Sequence, residues 1–183
     1  LGVQTQESNG FVGFERGAYW PDGNTLYVDV GQNDDGEALL CNLADTESCY
    51  GNSMNVEVGN TTLTLQAGTA DEFTVNRQTF SGTGVTGAWI MPGEPVTLMF
   101  LPGGVYVAVQ WEETNNFTGF EYGTWTLNGS QLEVTVSQNN DGEALLCNEA
   151  GASCSMVSYP VMVGSHNLTL TVGSDNFSFE RQL

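Results

Sequence analysis

The chain has 183 residues, of which 22 are acidic and 3 are basic, so its formal net charge is −19. A surface this acidic repels phosphate backbones and anionic lipid headgroups, and we therefore expect no nucleic acid partner and no membrane insertion. The sequence has no apolar run of about eighteen residues that could span a bilayer. Its hydrophobic content of 40% is that of a globular protein rather than a disordered one.

One segment of the sequence occurs twice. Residues 32–42, QNDDGEALLCN, return as residues 138–148, QNNDGEALLCN, at an offset of 106 residues. The chain is long enough for two small domains. The duplication therefore predicts a domain at residues 1–82 and a second, more complete copy at residues 83–183.

The second copy consists of short runs of alternating apolar and polar residues, which is the pattern of an antiparallel sheet. Turn residues such as Asn128-Gly129 separate the runs and favour hairpins. Eight short strands joined mostly by hairpins predict an all-β fold, an up-and-down barrel. The predicted strands are 87–91, 96–101, 105–113, 119–127, 131–137, 156–163, 168–172 and 177–182.

The first copy contains counterparts of strands three to eight only. The first two strands are missing, and they could lie upstream or come from another chain. An open antiparallel edge is a template for pairing, so we expect association through the first copy, most simply as a homodimer. The alternative is that the six strands close into a smaller or flattened barrel. Residues 79–86 are predicted to be a linker. The predicted strands of the first copy are 1–9, 12–20, 25–31, 54–58, 62–67 and 72–77.

The four cysteines fall into two local pairs, Cys41 with Cys49 and Cys147 with Cys154. Four cysteines allow three pairings, and the duplicated spacing favours a disulfide within each pair. Zinc binding is the alternative, but the spacing is wide and the single histidine, His166, has no partner histidine. Disulfides are typical of oxidising compartments, so the expected location is secreted, periplasmic or on the cell surface.

Two features of the second copy resemble the lipocalin and calycin barrels: Gly87-Ala88-Trp89 in the first strand and Arg181 in the last. In that superfamily a Gly-x-Trp packs beneath an arginine and closes one end of the barrel. The resemblance implies that Trp89 and Arg181 stack, with a cation–π attraction of about 0.5–2 kcal/mol. Arg77 holds the matching place in the first copy, which lacks the Gly-x-Trp. Three further segments are similar to lipocalin-like repeats of bacterial secreted and cell-surface proteins. They are FLPGGVY at residues 100–106, FEYGTW at residues 120–125 and NGSQLEV at residues 128–134.

The repeated segment Asn-x-Asp-Gly-Glu has the oxygen-rich, alternating character of the start of a calcium loop. The alternative is a polar turn between a strand and the cysteine loop. No other cofactor is expected. The candidate metal ligands are Asn33, Asp35, Glu37, Asn139, Asp141 and Glu143.

Large aromatic residues of the second copy could line a cavity for a small apolar ligand. They could equally fill the interior, because an eight-stranded barrel is just wide enough for either arrangement. The candidate lining residues are Trp89, Tyr106, Trp111, Tyr122 and Trp125.

Glu15 and Glu121 occupy matching Phe-Glu-x-Gly segments in the two copies. A general acid needs a partner group, and neither glutamate has a nearby histidine or nucleophile in the sequence. We therefore expect these carboxylates to be exposed or paired with an arginine, and we expect no enzymatic activity.

Two functions remain. The first is a non-enzymatic, extracellular structural or interaction module built of lipocalin-like repeats. The second is a carrier that holds a small apolar ligand in the barrel. The volume of the barrel cavity discriminates between them, because ligand sites usually enclose several hundred cubic ångströms.

Overall fold

In a computed structural model, the chain divides into two compact units, Leu1–Thr79 and Phe80–Leu183, here called unit 1 and unit 2. The division falls slightly before the predicted boundary between residues 82 and 83. Every regular element among the described residues is a β-strand, and none is a helix that could cross a membrane. The structure describes residues 2–4, 13–33, 40, 49–78, 80, 84–111, 118–139, 145–147 and 154–182.

Unit 1 is an open, curled antiparallel sheet of six strands, in the order β1-β2-β3-β4-β5-β6. Each strand pairs with its neighbours in sequence, so β1 and β6 form the two edges of the sheet. The strands are β1 (Gly2–Gln4), β2 (Gly13–Asp22), β3 (Thr25–Asn33), β4 (Cys49–Val58), β5 (Thr62–Leu65) and β6 (Phe73–Asn76).

Unit 2 is a closed antiparallel barrel of eight strands. Sequence neighbours pair throughout, and the last strand pairs with the first to close the barrel. The strands are β7 (Gly87–Ile90), β8 (Val96–Leu101), β9 (Val105–Gln110), β10 (Gly119–Asn128), β11 (Gln131–Asn139), β12 (Cys154–Val163), β13 (Asn167–Val172) and β14 (Asp175–Gln182). The all-β prediction, with one complete barrel and one copy lacking two strands, is confirmed.

Some strand ends differ from the prediction, and the reason is local composition. The fourth strand begins at Cys49, whereas the alternating pattern placed its start at residue 54. Tyr50 and Gly51 are exposed, so the first part of β4 has no apolar face that periodicity could detect. Conversely, β9 ends at Gln110, earlier than the predicted residue 113.

The core of unit 2 is built by alternation along each strand. Leu132, Val134 and Val136 of β11 are buried, as their period of two predicts. On β8, Leu98 and Phe100 are buried in the same way, and all five residues belong to one apolar cluster. This face of the sheet forms the interior of the barrel.

Trp89 and Arg181 close one end of the barrel, as the resemblance implied. The Arg181 guanidinium lies over the Trp89 ring, 4.1 Å from its centroid. Arg181 also donates hydrogen bonds to three backbone carbonyls, those of Gly84 (2.6 Å), Thr86 (2.8 Å) and Ser165 (3.0 Å). We call the end of the barrel that Trp89 and Arg181 close the sealed end.

The segment just before β7 belongs to the sealed end, so the prediction of a linker over residues 79–86 is wrong for its last part. Val85 is buried in the core, and its carbonyl accepts a hydrogen bond of 2.7 Å from the Trp89 indole N–H. Gly87 has φ 151°, and a Cβ there would lie 2.7 Å from Nη1 of Arg181. Only glycine lets the chain pass beneath the arginine.

Candidate functional site

The end of the barrel opposite the sealed end holds a cavity of about 530 Å³. The strand topology fixes its position, since β7 begins at the sealed end and the loop from β7 to β8 therefore lies at the other. We call this end the mouth. Its wall is mainly aliphatic and aromatic, and it includes Val96, Leu98, Leu170, Val172, Phe177 and Phe179.

A short segment between β11 and β12, Leu145 to Cys147, contributes to the mouth. Leu145 and Leu146 line the cavity, while Leu146 and Cys147 are buried. Cys147 is disulfide-bonded to Cys154 at the start of β12, with their Cα atoms 5.7 Å apart. The predicted pairing of these two cysteines is confirmed. The disulfide ties the mouth segment to the barrel wall.

Glu121 holds the mouth segment from inside the barrel. Its side chain is completely buried, and its carboxylate accepts hydrogen bonds from the backbone N–H groups of Leu145 (3.2 Å), Leu146 (2.9 Å) and Cys147 (2.9 Å). Three consecutive N–H groups that converge on one anion form a nest, which stabilises negative charge in a buried place. The expectation that this carboxylate is exposed or paired with arginine is therefore wrong.

Two tyrosines complete this network. The Tyr106 hydroxyl donates to Glu121 at 3.3 Å, and the Tyr159 hydroxyl donates to the carbonyl of Leu146. Burial, and then the charge of Glu121, raise the pKa of both phenols above the usual range. Both tyrosines consequently remain protonated donors at neutral pH.

Unit 1 also has a buried glutamate that accepts a backbone hydrogen bond, but some of the surrounding partners differ. Glu15, at the position matching Glu121, is 1% exposed and accepts a hydrogen bond of 2.7 Å from the N–H of Leu40. The carbonyl of Leu40 accepts from the Asn52 side-chain amide at 2.5 Å, where unit 2 uses Tyr159. Glu15 is therefore not exposed, and that part of the expectation is wrong.

The structure gives a reason for the glycine of each Phe-Glu-x-Gly segment. Both strands change register at this point, between Tyr122 and Gly123 and between Arg16 and Gly17. A Cβ on Gly123 would lie 2.0 Å from the carbonyl oxygen of Thr135, so the partner strand passes too close for any side chain. The repeated motif was the signal for this arrangement, because a buried carboxylate next to a tight glycine recurs in both copies.

Gln110 is a polar residue of the cavity wall whose side-chain amide lacks hydrogen bonds from the described part of the protein. Its side chain is 3% exposed and lines the cavity, yet its amide has no hydrogen-bond partner among the described residues. Buried amides are nearly always satisfied by protein, water or ligand. Glu94 also lines the cavity and is exposed, so it lies at the rim.

The predicted aromatic residues do not line this cavity within the described part of the chain. Trp89 belongs to the sealed end, and Tyr106 is fully buried against Glu121. Trp125 packs edge-on against Phe100, with ring centroids 5.7 Å apart. Its indole N–H donates to the carbonyl of Leu101 at 3.2 Å.

The two remaining predicted aromatics, Trp111 and Tyr122, are partly buried and are likewise not among the described lining residues. The large rings fill or cover the barrel, and the cavity is left to smaller apolar side chains. Sequence reasoning missed these side chains because they have the same pattern as ordinary core residues.

The predicted metal site falls mostly outside the described residues, as Asp35, Glu37, Asp141 and Glu143 do. The described members, Asn33 and Asn139, end β3 and β11. Among the residues that the structure describes, no group of three or more histidine, cysteine, aspartate or glutamate side chains could hold a metal ion. The calcium site stays a prediction.

Cys49 is disulfide-bonded, and its predicted partner Cys41 lies outside the described residues. Arg77, the first-copy counterpart of Arg181, is exposed and lines the concave face of unit 1. That face encloses about 560 Å³, because the sheet curls without closing. Val28, Val30 and Leu65 form part of its apolar wall.

The topology and the sealed end of unit 2 together decide its fold type. Eight up-and-down strands close into a barrel, and a Gly-x-Trp in the first strand packs beneath an arginine from the last. The barrel is lipocalin-like.

No protein-family model and no curated protein matches the sequence. Among solved structures, a lipocalin-like protein from Bacteroides uniformis ATCC 8492 aligns at 13% identity and TM-score 0.41, over 53% of this chain and 97% of that one. An uncharacterized protein from Bacteroides eggerthii DSM 20697 aligns at 15% identity and TM-score 0.38, over 53% and 98%.

Proposed function

We propose that the lipocalin-like barrel of unit 2 binds a small, mainly apolar ligand at its mouth. The mouth cavity of about 530 Å³ carries this proposal. Its volume lies inside the range of roughly 300–1,000 Å³ that is usual for small-molecule sites. The wall is apolar, and Phe177 is 38% exposed within it, so an apolar ligand would gain by covering this ring.

The polar groups of the cavity narrow the class of ligand. Gln110 offers an unused amide inside the wall, which favours a ligand with one hydrogen-bonding group such as a hydroxyl or carbonyl. Glu94 at the rim and a net charge of −19 disfavour anions. The proposed ligand is therefore uncharged or cationic, with an apolar body and one polar group.

The protein is proposed to act by binding and not as an enzyme. Glu15 and Glu121, the buried carboxylates of the two units, each accept backbone hydrogen bonds. A carboxylate held in this way fixes the backbone of its loop, which is a structural role. The disulfide of unit 2 is compatible with the predicted secreted, periplasmic or cell-surface location.

The test is binding of the neutral fluorescent probe N-phenyl-1-naphthylamine. We expect saturable binding to the intact chain and at least tenfold weaker binding to Val172→Trp, because Val172 lies in the mouth wall and is 39% exposed. The matched control is Thr169→Trp on the same strand, where alternation points the side chain out of the barrel. Unchanged affinity in Val172→Trp, or failure of the probe to bind, would contradict the proposal.

The charge preference has its own test with an anionic relative of the probe, 1-anilinonaphthalene-8-sulfonate. We expect it to bind at least tenfold more weakly than the neutral probe at low salt. Glu94→Gln should reduce the difference in affinity between the two probes, because it removes a negative charge at the rim. Equal affinities for the two probes would show that charge does not select the ligand.

The alternative function, an interaction module, is favoured by the open sheet of unit 1. In the described part of the chain, its edge strands β1 and β6 each have a partner strand on one side only. An exposed edge is a site where another strand can add.

A further inference from the structure

We propose that the concave face of unit 1 binds a two-stranded β-hairpin of another polypeptide, and that the first strand of this hairpin carries Gly-x-Trp. This inference goes beyond the small-ligand proposal, because it concerns the other unit and a different class of partner. The hairpin would complete the six-stranded sheet as an eight-stranded barrel.

The two units show which strands are missing and where they belong. In unit 2, β14 pairs with β7, and β9 pairs with β8. The strands of unit 1 that match β14 and β9 are β6 and β1, which are the two edges of its open sheet. The gap between these edges therefore corresponds to one hairpin, and unit 2 fills it with β7–β8.

The backbone at the end of β6 follows that at the end of β14. The N–H of Arg77 donates to the carbonyl of Thr61 at 2.7 Å, and the N–H of Arg181 donates to the carbonyl of His166 at 2.9 Å. The two arginines thus occupy equivalent places at the ends of corresponding hairpins in the two units. In unit 2 this place is where the arginine meets Trp89.

Arg77 lacks the contacts that Arg181 makes. Its side chain is exposed and lines the concave face, and among the described residues it has no side-chain hydrogen bond, ion pair or ring contact. A guanidinium gains cation–π attraction when an indole ring comes beneath it, most strongly where water is excluded. A tryptophan at the register position of Trp89 would supply that ring.

The concave face also provides an apolar surface for the second strand of the hairpin. Val28, Val30 and Val56 are buried at its base, while Val58 and Tyr19 are 74% and 73% exposed at its wall. In unit 2 the inward side chains of β8, such as Leu98 and Phe100, fill the equivalent space. A strand with apolar residues at alternate positions would cover the exposed ones here.

A second copy of this chain is the less suitable occupant. Its own Gly-x-Trp hairpin is β7–β8, and both strands are already paired within a closed barrel. Lending them would open that barrel and separate Trp89 from Arg181. The proposed partner is a different polypeptide with a free hairpin of this type, because the hairpin of the described barrel is already in use.

The experiment uses the intact chain and a fluorescein-labelled synthetic peptide with the sequence of residues 84–103, which contains β7, β8 and their turn. Fluorescence anisotropy should show saturable one-to-one binding. Arg77→Ala should weaken it at least tenfold, and Arg77→Lys should not restore it, since lysine lacks the planar guanidinium. A peptide with alanine in place of its tryptophan should lose affinity to the same degree.

Hydrogen exchange on the same mixtures gives a second measurement. The amides of β6 and β1 should exchange more slowly only when the peptide is present. Absence of peptide binding at 100-fold excess, equal affinity of Arg77→Ala and the unsubstituted chain, or unchanged exchange along both edges would overturn the proposal. Protected edges without peptide, together with a dimer in sedimentation at micromolar concentration, would also overturn it, because a second copy would then occupy the face.

Discussion

At the scale of single residues, Glu121 is the side chain that holds the mouth segment in place. A buried carboxylate is costly unless hydrogen bonds compensate for the lost water. Here the N–H groups of Leu145, Leu146 and Cys147 do so, and Tyr106 adds a fourth donor. The carboxylate and the loop are therefore each stabilised by the other.

Replacing this residue tests that dependence. Glu121→Ala should lower the free energy of unfolding of unit 2 by about 3 kcal/mol, because two buried N–H groups and one partly buried N–H group lose their acceptor. Urea unfolding followed by near-ultraviolet circular dichroism measures the loss. The control is Glu180→Ala at an exposed position of β14, where a surface substitution should change stability by less than about 0.5 kcal/mol. Similar unfolding midpoints for the two variants would contradict the structural role of Glu121.

Tyr106 makes stability fall at high pH. Because burial raises its pKa in the folded state, the folded protein keeps this proton above pH 10, whereas the unfolded chain releases it. The stabilisation is complete below about pH 10 and declines by about 1.4 kcal/mol per pH unit above it. Tyr106→Phe should therefore give a flatter decline between about pH 10 and pH 11.5.

The measurement is urea unfolding at several pH values across that interval. Tyr19→Phe, which alters a side chain that is 73% exposed, is the control and should keep the original slope. If Tyr106→Phe shows the same slope as the unsubstituted protein, Tyr106 does not hold its proton in the folded state.

At the scale of elements, the sealed end joins the first and last strands of the barrel. Trp89 is completely buried between Arg181 and the core, so Trp89→Ala should lower the free energy of unfolding by about 3–5 kcal/mol. Trp20→Ala on β2, where the ring is 42% exposed, should cost less. Denaturant unfolding monitored by circular dichroism decides between them, and equal losses would show that the sealed end adds little.

Elements were also what the sequence predicted best. Alternation in β11 was enough to place Leu132, Val134 and Val136 in the barrel interior, because each strand has one solvent-exposed face and one buried face. The mouth network could not be predicted in this way. Glu121 and its backbone donors are 24 to 26 residues apart, and an isolated carboxylate in an alternating strand has the pattern of an exposed residue.

The candidate site was harder to predict than the fold for a related reason. Large aromatic residues suggested a cavity wall, but ring size favours filling the interior, and the structure uses Trp89 and Tyr106 in this way. The wall consists of residues such as Leu98 and Leu170, whose sequence pattern does not distinguish a packed core from a cavity. The cavity can be identified only in the folded barrel, where the mouth segment lines it together with these residues.

At the scale of the whole molecule, one repeated sequence gives two different units. Both keep the buried glutamate and its loop contact, through Glu15 and Leu40 in unit 1 and through Glu121 and Leu146 in unit 2. They differ in two strands, and that difference separates a closed barrel from an open sheet. We accordingly propose a small-ligand site in the first case and a strand-binding face in the second.

The central claim is that the ligand enters the mouth of unit 2. Its most direct test is a nuclear magnetic resonance titration of the ¹⁵N-labelled intact chain with N-phenyl-1-naphthylamine. The largest shift changes should fall on the backbone amides of Leu98, Gln110 and Leu170, which line the cavity. Changes concentrated on Val28 and Val30 of unit 1, or no changes at saturating probe, would contradict the claim.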